Sequence, residues 1–294
     1  MTTAVGFRHI QVRPLSGALG AEIAGVALES VSDEAFAEIR TALLEHLVLF
    51  FRDQALSIDA QKAFGERFGA LYIHPYVRAI EGYPDVIEIV KDRDDRKNFG
   101  GNWHADLTYL EAPMLGAVLY ALEVPPHGGD TLFANMYAAY ESLSLGLKSV
   151  LHRVRAVHDD RATGLYDRER IQSMTLRNVA MDDSGRPIGS RYVHPVVRTH
   201  PETGRRGLFV NSISTIGFEG MTEAESRPLL NFLCEHLARP EFTCRFRWTA
   251  GAVALWDNRC TQHLALNDYH GYRRRMRRVL IGGDQPYFRA EPQR

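Results

Sequence analysis

The sequence has few cysteines and no long apolar run, and each shortage excludes a class of protein. Its 294 residues include only three cysteines, namely Cys234, Cys244 and Cys260. Their odd number and unpaired spacing fit neither a disulfide framework nor a zinc motif. No apolar run approaches the length that crosses a bilayer, and the first residues lack the apolar core of a signal peptide. We therefore predict reduced thiols and a cytoplasmic protein.

The sequence also has almost no net charge, no internal repeats and no low-complexity tracts. Its 35 basic and 36 acidic residues give a formal net charge of -1 at pH 7. No global field therefore attracts nucleic acid or a membrane surface, and we predict neither as a partner. At this length one elaborated domain spanning residues 1–294 is favoured over two domains.

The order of the predicted elements favours a mainly β protein with flanking helices. Ser32 and Ser57 are each followed by helical periodicity, so both are predicted N-caps. Thr222-Glu223-Ala224-Glu225 has the form of a capping box and opens a later helix. Short strand patterns bounded by turns fill much of the second half. This distribution predicts a β-barrel or jelly roll decorated by helices.

Two segments are predicted to cover an active site. Residues 91–101 are charged and rich in glycine, and residues 158–191 are irregular and rich in charge, glycine and proline. Long insertions in a compact domain are usually functional or disordered, and loops of this kind close over active sites. For residues 91–101, a solvated surface loop is the alternative.

One short segment offers metal-binding chemistry, together with a partner far along the chain. If residues 103–107 are extended, His104 and Asp106 project from the same side of a strand. A second strand can supply His263 as the third ligand. Two imidazoles and one carboxylate form the facial set that suits Fe(II) and leaves the opposite positions open. Because a lone His-x-Asp arises by chance in many sequences, the prediction depends on its surroundings.

The last predicted strand carries closely spaced arginines. Alternation places Arg274 and Arg278 on one face and Arg275 and Arg277 on the other. If the first face points into a barrel, two guanidinium groups enter one cavity, where burial without an acidic partner is costly. An anionic ligand removes this cost, because a charge-assisted hydrogen bond contributes about 1.5 to 3 kcal/mol. The alternative is a basic surface strand whose arginines are all solvated.

These motifs occur in an order that resembles a known enzyme family. The chain contains His104-x-Asp106, then Gly128-Gly129-Asp130-Thr131, then Trp256-Asp257-Asn258-Arg259 ending in His263, and then Arg274. Together they resemble the Fe(II)/2-oxoglutarate dioxygenases of the taurine dioxygenase and aryloxyalkanoate dioxygenase family. The similarity extends over almost the whole chain. It implies a jelly-roll core, also called a double-stranded β-helix.

The resemblance also implies roles for the metal and cosubstrate residues. His104, Asp106 and His263 match the iron ligands of the family, which makes them the catalytic residues as well. Arg274 matches the arginine that binds the distal carboxylate of 2-oxoglutarate, and Thr131 matches the threonine that assists it. The implied cofactors are Fe(II), 2-oxoglutarate as cosubstrate and O2.

On the substrate side, the resemblance is less complete. Arg278 and His74 match residues that bind the acidic head of the substrate, and Tyr109 keeps an aromatic residue of the pocket. Gly100 stands where taurine dioxygenase has an asparagine. Asp160 and Ser214 stand in place of two aromatic residues of the taurine pocket. The expected substrate is a small organic anion, namely a sulfonate, a sulfate ester or an aryloxyalkanoate.

The implied reaction is hydroxylation of a substrate carbon, with cleavage of its C–S or C–O bond and release of succinate and CO2. The family resemblance also implies a homo-oligomer. Two other classes remain open, a zinc-dependent hydrolase with the same ligand set and a barrel that binds an anion without catalysis. Arg274 and Thr131 argue against the hydrolase, which has no need of a second organic acid site.

Overall fold

Short strands are the most numerous regular elements in the described part of the chain, as the turn-bounded apolar patterns predict. The structure, a computed structural model, describes residues 6–75, 77–163 and 190–290. Its strands in chain order are β1 (Gln11–Pro14), β2 (Ala21–Ala24), β3 (Val48–Phe51), β4 (Leu71–Tyr72), β5 (Ala79–Ile80), β6 (Tyr83–Lys91), β7 (Gly116–Glu123), β8 (Thr131–Asn135), β9 (Arg155–Asp159), β10 (Arg191–Pro195), β11 (Val197–Thr199), β12 (Arg206–Leu208), β13 (Thr215–Phe218), β14 (Thr243–Phe246), β15 (Val253–Asp257), β16 (Thr261–Ala265) and β17 (Arg274–Ile281).

Three helices begin where the sequence predicts their caps. The described residues form α1 (Asp33–His46), α2 (Ile58–Glu66), α3 (Met136–Glu141), α4 (Leu145–Leu151) and α5 (Glu223–Leu237). Ser32, Ser57 and Thr222 each accept a hydrogen bond from the backbone N–H three residues later, and the Thr222 capping box is complete. These bonds satisfy N–H groups that have no partner inside the helix.

Two mainly antiparallel sheets face each other and enclose the core; within the large one, β2 and β3 pair in parallel. The large sheet has the order β1-β2-β3-β15-β7-β17-β6-β5, with β4 beside β17, and the opposing sheet has the order β14-β8-β16. Phe50 of the large sheet stacks on Phe246 of the opposing sheet, with ring centroids 3.9 Å apart. Two smaller sheets, β10-β9-β13 and β11-β12, complete the strand pairings. The predicted jelly roll with flanking helices is confirmed.

The outer face of the large sheet is covered by α1 and α2. Ile39 and Phe64 from these helices pack with Val279 of β17 in one buried cluster. Arg277 lies on this face, and its guanidinium donates 2.7 Å hydrogen bonds to Gln61 Oε1 and to the Leu56 carbonyl. The alternative in which every arginine of β17 is solvated is therefore wrong.

Of the two predicted lid segments, the structure describes the first completely and the second only at its ends. Residues 91–101 are described, and they are attached to the end of β16 because Asn98 Nδ2 donates to the Ala265 carbonyl at 2.8 Å. Most of the other segment, residues 164–189, lies outside the described residues. None of the helices in the described ranges combines the length and apolar character that a membrane crossing requires.

Candidate active site

The three candidate metal ligands meet between the two sheets. His104 Nε2 lies 3.8 Å from Asp106 Oδ1, and His263 Nε2 lies 4.0 Å from the same oxygen. Reciprocal backbone hydrogen bonds hold the histidines together, at 3.1 Å from His104 N to His263 O and 2.8 Å in the other direction. We call these three side chains the His–Asp–His cluster.

The segment that carries His104 and Asp106 is not the strand that we predicted. His104 forms an isolated bridge to His263, and the chain then turns, with Leu107 at a positive φ of 53°. The backbone N–H of Asp106 donates to Asn258 Oδ1 at 2.8 Å, a side-chain contact between distant parts of the sequence. This long-range contact, which alternation cannot report, determines where the carboxylate lies.

The His–Asp–His cluster has the protonation that a divalent cation requires. His104 Nδ1 lies 2.7 Å from the Asn102 carbonyl, so it carries the proton and leaves the Nε2 lone pair facing Asp106. Burial lowers the pKa of both His104 and His263, which keeps them neutral at neutral pH. Burial raises the pKa of Asp106, but the positive charge of the Arg278 guanidinium opposes this effect, and the pKa is lowered to about 2. Two neutral imidazoles and one carboxylate fit Fe(II).

A candidate anion-binding position lies beside Thr131 at the start of β8. Arg274 is buried, and its Nε and Nη2 have no hydrogen-bond partner among the described residues. Its guanidinium carbon lies 5.7 Å from the centre of the Trp248 ring. Trp248 Nε1 donates to Thr131 Oγ1 at 2.9 Å, so the threonine hydroxyl can direct its own proton to an anion. Trp248 was not among the site residues predicted from the sequence.

Arg278 faces the His–Asp–His cluster from the same side of β17. Its Nη1 lies 3.2 Å from Asp106 Oδ1, while its Nε has no partner within the described part of the chain. His74 is buried nearby, and its Nδ1 accepts a 3.1 Å hydrogen bond from the Val77 N–H. Burial, followed by the charge of Arg278, lowers the pKa of His74 to about 3. His74 is therefore neutral and carries its proton on Nε2.

A group of apolar side chains borders the Arg278 guanidinium. Val77 and Ile87 form a buried cluster against which Ile89 and Phe99 pack. The Phe99 ring centre lies 5.9 Å from the Arg278 guanidinium carbon, and Ile87 is the strand partner of Arg278. Tyr109, the other predicted substrate residue, is buried in the larger core cluster between the sheets.

A polar network holds the turn that follows Asp106. Thr108 Oγ1 lies 2.9 Å from Ser214 Oγ and 3.0 Å from His158 Nδ1, and it accepts a 2.9 Å hydrogen bond from Asn211 Nδ2. Ser214 and the buried Asp160 stand where the resemblance leads us to expect aromatic residues. Part of the expected aromatic pocket is therefore replaced by hydrogen-bonded polar side chains.

A second group of potential metal ligands is already engaged in hydrogen bonds within the protein. His200, Asp257 and Cys260 place ligand atoms within 4.8 Å of one another. However, the Asp257 carboxylate already accepts from Arg259 Nε at 2.9 Å, Arg259 Nη2 at 2.6 Å and His200 Nε2 at 3.0 Å. A cation there would meet the Arg259 charge and would have to displace these bonds. This group stabilises the turn that leads to His263.

Known proteins are similar to this chain over almost its whole length. Residues 11–280 match the family model described as taurine catabolism dioxygenase TauD, TfdA family. An alkylsulfatase of Acinetobacter baylyi is 36% identical over 94% of this chain and 86% of its own. An alpha-ketoglutarate-dependent sulfate ester dioxygenase of Pseudomonas putida is 36% identical over 97% of this chain and 94% of its own.

A solved structure is also similar to this chain, in fold as well as in sequence. The crystal structure of a taurine dioxygenase from Burkholderia xenovorans is 37% identical and has a TM-score of 0.79, covering 95% of this chain and 93% of that one. The predicted family, its oxidoreductase class and its use of Fe(II), 2-oxoglutarate (alpha-ketoglutarate) and O2 are confirmed. The hydrolase and non-catalytic alternatives have no support among these relatives. This chain belongs to the TauD/TfdA family of 2-oxoglutarate-dependent dioxygenases.

Proposed function

We propose that this dioxygenase hydroxylates a carbon of a small organic anion with an apolar tail, and that an alkyl sulfate ester is the favoured class. One observation carries the proposal. Arg274 and Arg278 are buried on the inner face of β17, and Arg278 lies directly beside the His–Asp–His cluster. This arrangement provides two anion sites, one for the cosubstrate and one for the substrate.

In this proposal His104, Asp106 and His263 hold Fe(II). When bound, the ion supplies oxidative chemistry in which O2 and 2-oxoglutarate give succinate, CO2 and a hydroxylated substrate carbon. The protein keeps both imidazoles neutral and the carboxylate charged, as the lowered pKa values indicate. The chain also fixes the position of each reactant and limits access of water, which directs the oxidation to one C–H bond.

Arg274 and Thr131 bind the distal carboxylate of 2-oxoglutarate. Two buried N–H-bearing atoms of Arg274, Nε and Nη2, have no partner among the described residues, and the carboxylate oxygens accept hydrogen bonds from them. Such charge-assisted bonds are among the stronger ones in proteins. Thr131 adds a donor, since its oxygen already accepts from Trp248 Nε1. Both residues therefore favour an acid over a neutral ligand.

Arg278 and His74 bind the acidic head of the substrate, and the apolar group around Phe99 contacts its tail. A taurine ammonium placed among Val77, Ile87 and Phe99 would lose its hydration without gaining a partner. An alkyl chain would instead bury apolar surface there. The names of the alkylsulfatase and sulfate ester dioxygenase relatives agree with this choice. Hydroxylation of the carbon that bears the ester oxygen lets the C–O bond break, giving an aldehyde and sulfate.

Residues 91–101 act as a lid in this proposal. Gly100 O accepts a 2.9 Å hydrogen bond from Ala265 N, and Asn98 Nδ2 donates to the Ala265 carbonyl at 2.8 Å. The segment therefore lies beside His104 and is connected to the strand that carries His263. We further propose one catalytic domain over residues 1–294. The homo-oligomer and the cytoplasmic location stay predictions from sequence.

Oxygen consumption tests the proposed function. Protein loaded anaerobically with Fe(II) would receive 2-oxoglutarate and one compound from a panel of alkyl sulfates, alkanesulfonates, aryloxyalkanoates and taurine. We expect coupled O2 uptake, succinate and sulfate with alkyl sulfates, and loss of all three in His104→Ala. Preferential turnover of taurine would contradict the apolar-tail assignment. Sulfate release without O2 or 2-oxoglutarate would contradict the dioxygenase reaction.

A further inference from the structure

Asn258 contacts the backbone of a proposed metal ligand on both of its polar groups. The side chain is buried, with 1% exposure, and follows β15 directly. Its Oδ1 accepts from Asp106 N at 2.8 Å, and its Nδ2 donates to Asp106 O at 3.1 Å. One carboxamide therefore supplies both hydrogen bonds that a neighbouring strand would give to a residue in a sheet.

The carboxamide is itself held in place. Nδ2 also donates to the Met114 carbonyl at 3.3 Å, and the backbone N–H of Asn258 donates to the Leu115 carbonyl at 2.8 Å. The segment 114–115 leads into β7 at the centre of the large sheet. Asn258 consequently links the turn at Asp106 to the rigid part of the fold, and rotating the amide would break bonds on both sides.

The three metal-site residues differ in how their backbones are held. His104 and His263 hydrogen bond to each other through their main chains, whereas Asp106 lies where the chain has left the bridge and enters a turn. Without Asn258, the N–H and C=O of Asp106 would be buried and would lose these partners. The turn would then relax, and the carboxylate would move away from the imidazoles.

We propose that Asn258 is a positioning residue that sets the place of the Asp106 carboxylate in the metal site. The inference rests on the proposed function, since it takes Asp106 to be a metal ligand. Residues that orient metal ligands typically change metal affinity about 10- to 100-fold when they are replaced. A residue that only stabilises the fold would lower the thermal midpoint without that selective effect.

Gln61 provides a matched control. It is a buried carboxamide of α2 and faces the outer side of the large sheet. Its Nε2 donates to the carbonyls of Val118 and Arg277 at 2.9 and 3.1 Å, and its Oε1 accepts from Arg277 Nε at 2.7 Å. Gln61→Ala therefore removes as many side-chain hydrogen bonds as Asn258→Ala, but none of them reaches a metal-site residue.

The test is Mn(II) binding to the full chain, measured by titration calorimetry and by the electron paramagnetic resonance signal of free Mn(II). We expect Asp106→Ala to abolish specific binding and Asn258→Ala to weaken it about 10- to 100-fold. Asn258→Ser, whose side chain is too short to reach both Asp106 atoms, should act in the same direction. Gln61→Ala should change the Mn(II) affinity less than about twofold while lowering the thermal midpoint.

The outcomes separate the inference from the proposed function. Wild-type affinity in folded Asn258→Ala, with binding lost in Asp106→Ala, would overturn the positioning role and leave the metal site intact. Equal losses in Asn258→Ala and Gln61→Ala would also overturn it, because the effect would then be general destabilisation. Binding that survives in Asp106→Ala would contradict the metal site itself. If circular dichroism shows that Asn258→Ala does not fold, Asn258→Ser decides the question.

Discussion

Arg278 Nη1 lies 3.2 Å from Asp106 Oδ1, so the residue proposed to bind the substrate also contacts a proposed metal ligand. The guanidinium contributes to the pKa of about 2 at Asp106 by opposing the effect of burial. Its Nε has no hydrogen-bond partner in the described chain, which leaves that edge for an anion. One side chain thus keeps the carboxylate ionised and, in the proposed function, would hold the substrate head next to the metal site.

Replacing Arg278 should therefore impair substrate use strongly. We expect Arg278→Ala to lower kcat/KM for the sulfate ester at least about 10- to 100-fold, because charge-assisted hydrogen bonds contribute about 1.5 to 3 kcal/mol. Steady-state kinetics at saturating 2-oxoglutarate would measure the loss. Arg275→Ala is the control, because Arg275 is partly exposed and pairs with Glu88 at 2.7 Å on the other side of the strand. Unchanged kcat/KM in Arg278→Ala would show that another group binds the head.

Trp248 should affect 2-oxoglutarate binding through Thr131. Trp248→Phe keeps an aromatic ring near Arg274 but removes the indole N–H that donates to Thr131 Oγ1 at 2.9 Å. We expect KM for 2-oxoglutarate to rise about 5-fold, the equivalent of a net hydrogen bond of about 1 kcal/mol. KM for the substrate should change much less.

A double-mutant cycle checks the route of this effect. In a Thr131→Val background the hydroxyl is absent, so Trp248→Phe should have little additional effect on KM for 2-oxoglutarate. Additive losses in the double variant would mean that Trp248 acts on Arg274 or on the pocket shape rather than through Thr131.

Local sequence patterns predicted the fold better than they predicted the site. Ser32 and Ser57 identify helix starts because capping depends on atoms only three residues apart. Arg277 was placed on the correct face of its strand by alternation, but its burial under α2 depends on Leu56 and Gln61, which are distant in sequence. Periodicity does not carry that information.

The candidate site shows the same limit. Resemblance in sequence selected His104 and His263, and the fold brings them together through a backbone bridge. The strand expected around Asp106 is replaced by a turn, because Asn258 supplies the hydrogen bonds that a neighbouring strand would provide. Asn258 stands inside the motif that identified the family, but only the fold shows what its side chain contacts.

His158 should make the stability of the protein depend on pH. Burial, together with the neighbouring His194, lowers its pKa from 6.5 to about 3. Between these values the unfolded chain binds one more proton than the folded chain at this residue, so the free energy of unfolding decreases as pH falls. The contribution is fully present above pH 6.5 and is lost progressively toward pH 3. Its slope is about 1.4 kcal/mol per pH unit.

Urea unfolding at about pH 7.5 and about pH 5 measures this dependence. His158→Gln has no titrating group, so its free energy of unfolding should fall less over the same interval, even if it is lower at both pH values. Because His194 and the buried carboxylates also titrate, the comparison uses the difference between the two proteins. Parallel pH profiles would show that His158 does not titrate differently in the folded and unfolded states.

Gly100 should be required for the space beside the metal site. Its φ is 80°, and a Cβ built there would lie 3.2 Å from His104 Cε1 and 3.8 Å from His104 Nε2. Gly100→Ala would therefore add a methyl group next to the nitrogen that faces Asp106. The positive φ alone costs roughly 1–2 kcal/mol for a residue with a side chain. We expect a loss of Mn(II) affinity and of turnover in addition to this destabilisation.

Gly82 separates the backbone strain from the intrusion into the site. Its φ is 79°, and a Cβ there would have no neighbouring heavy atom within 4 Å. Gly82→Ala should therefore match Gly100→Ala in lowered thermal midpoint but keep wild-type Mn(II) affinity and turnover. If the two variants lose metal affinity equally, strain rather than space explains the effect. If Gly100→Ala keeps full affinity and activity, the loop shifts enough to accept a side chain, and the position beside His104 is not restricted to glycine.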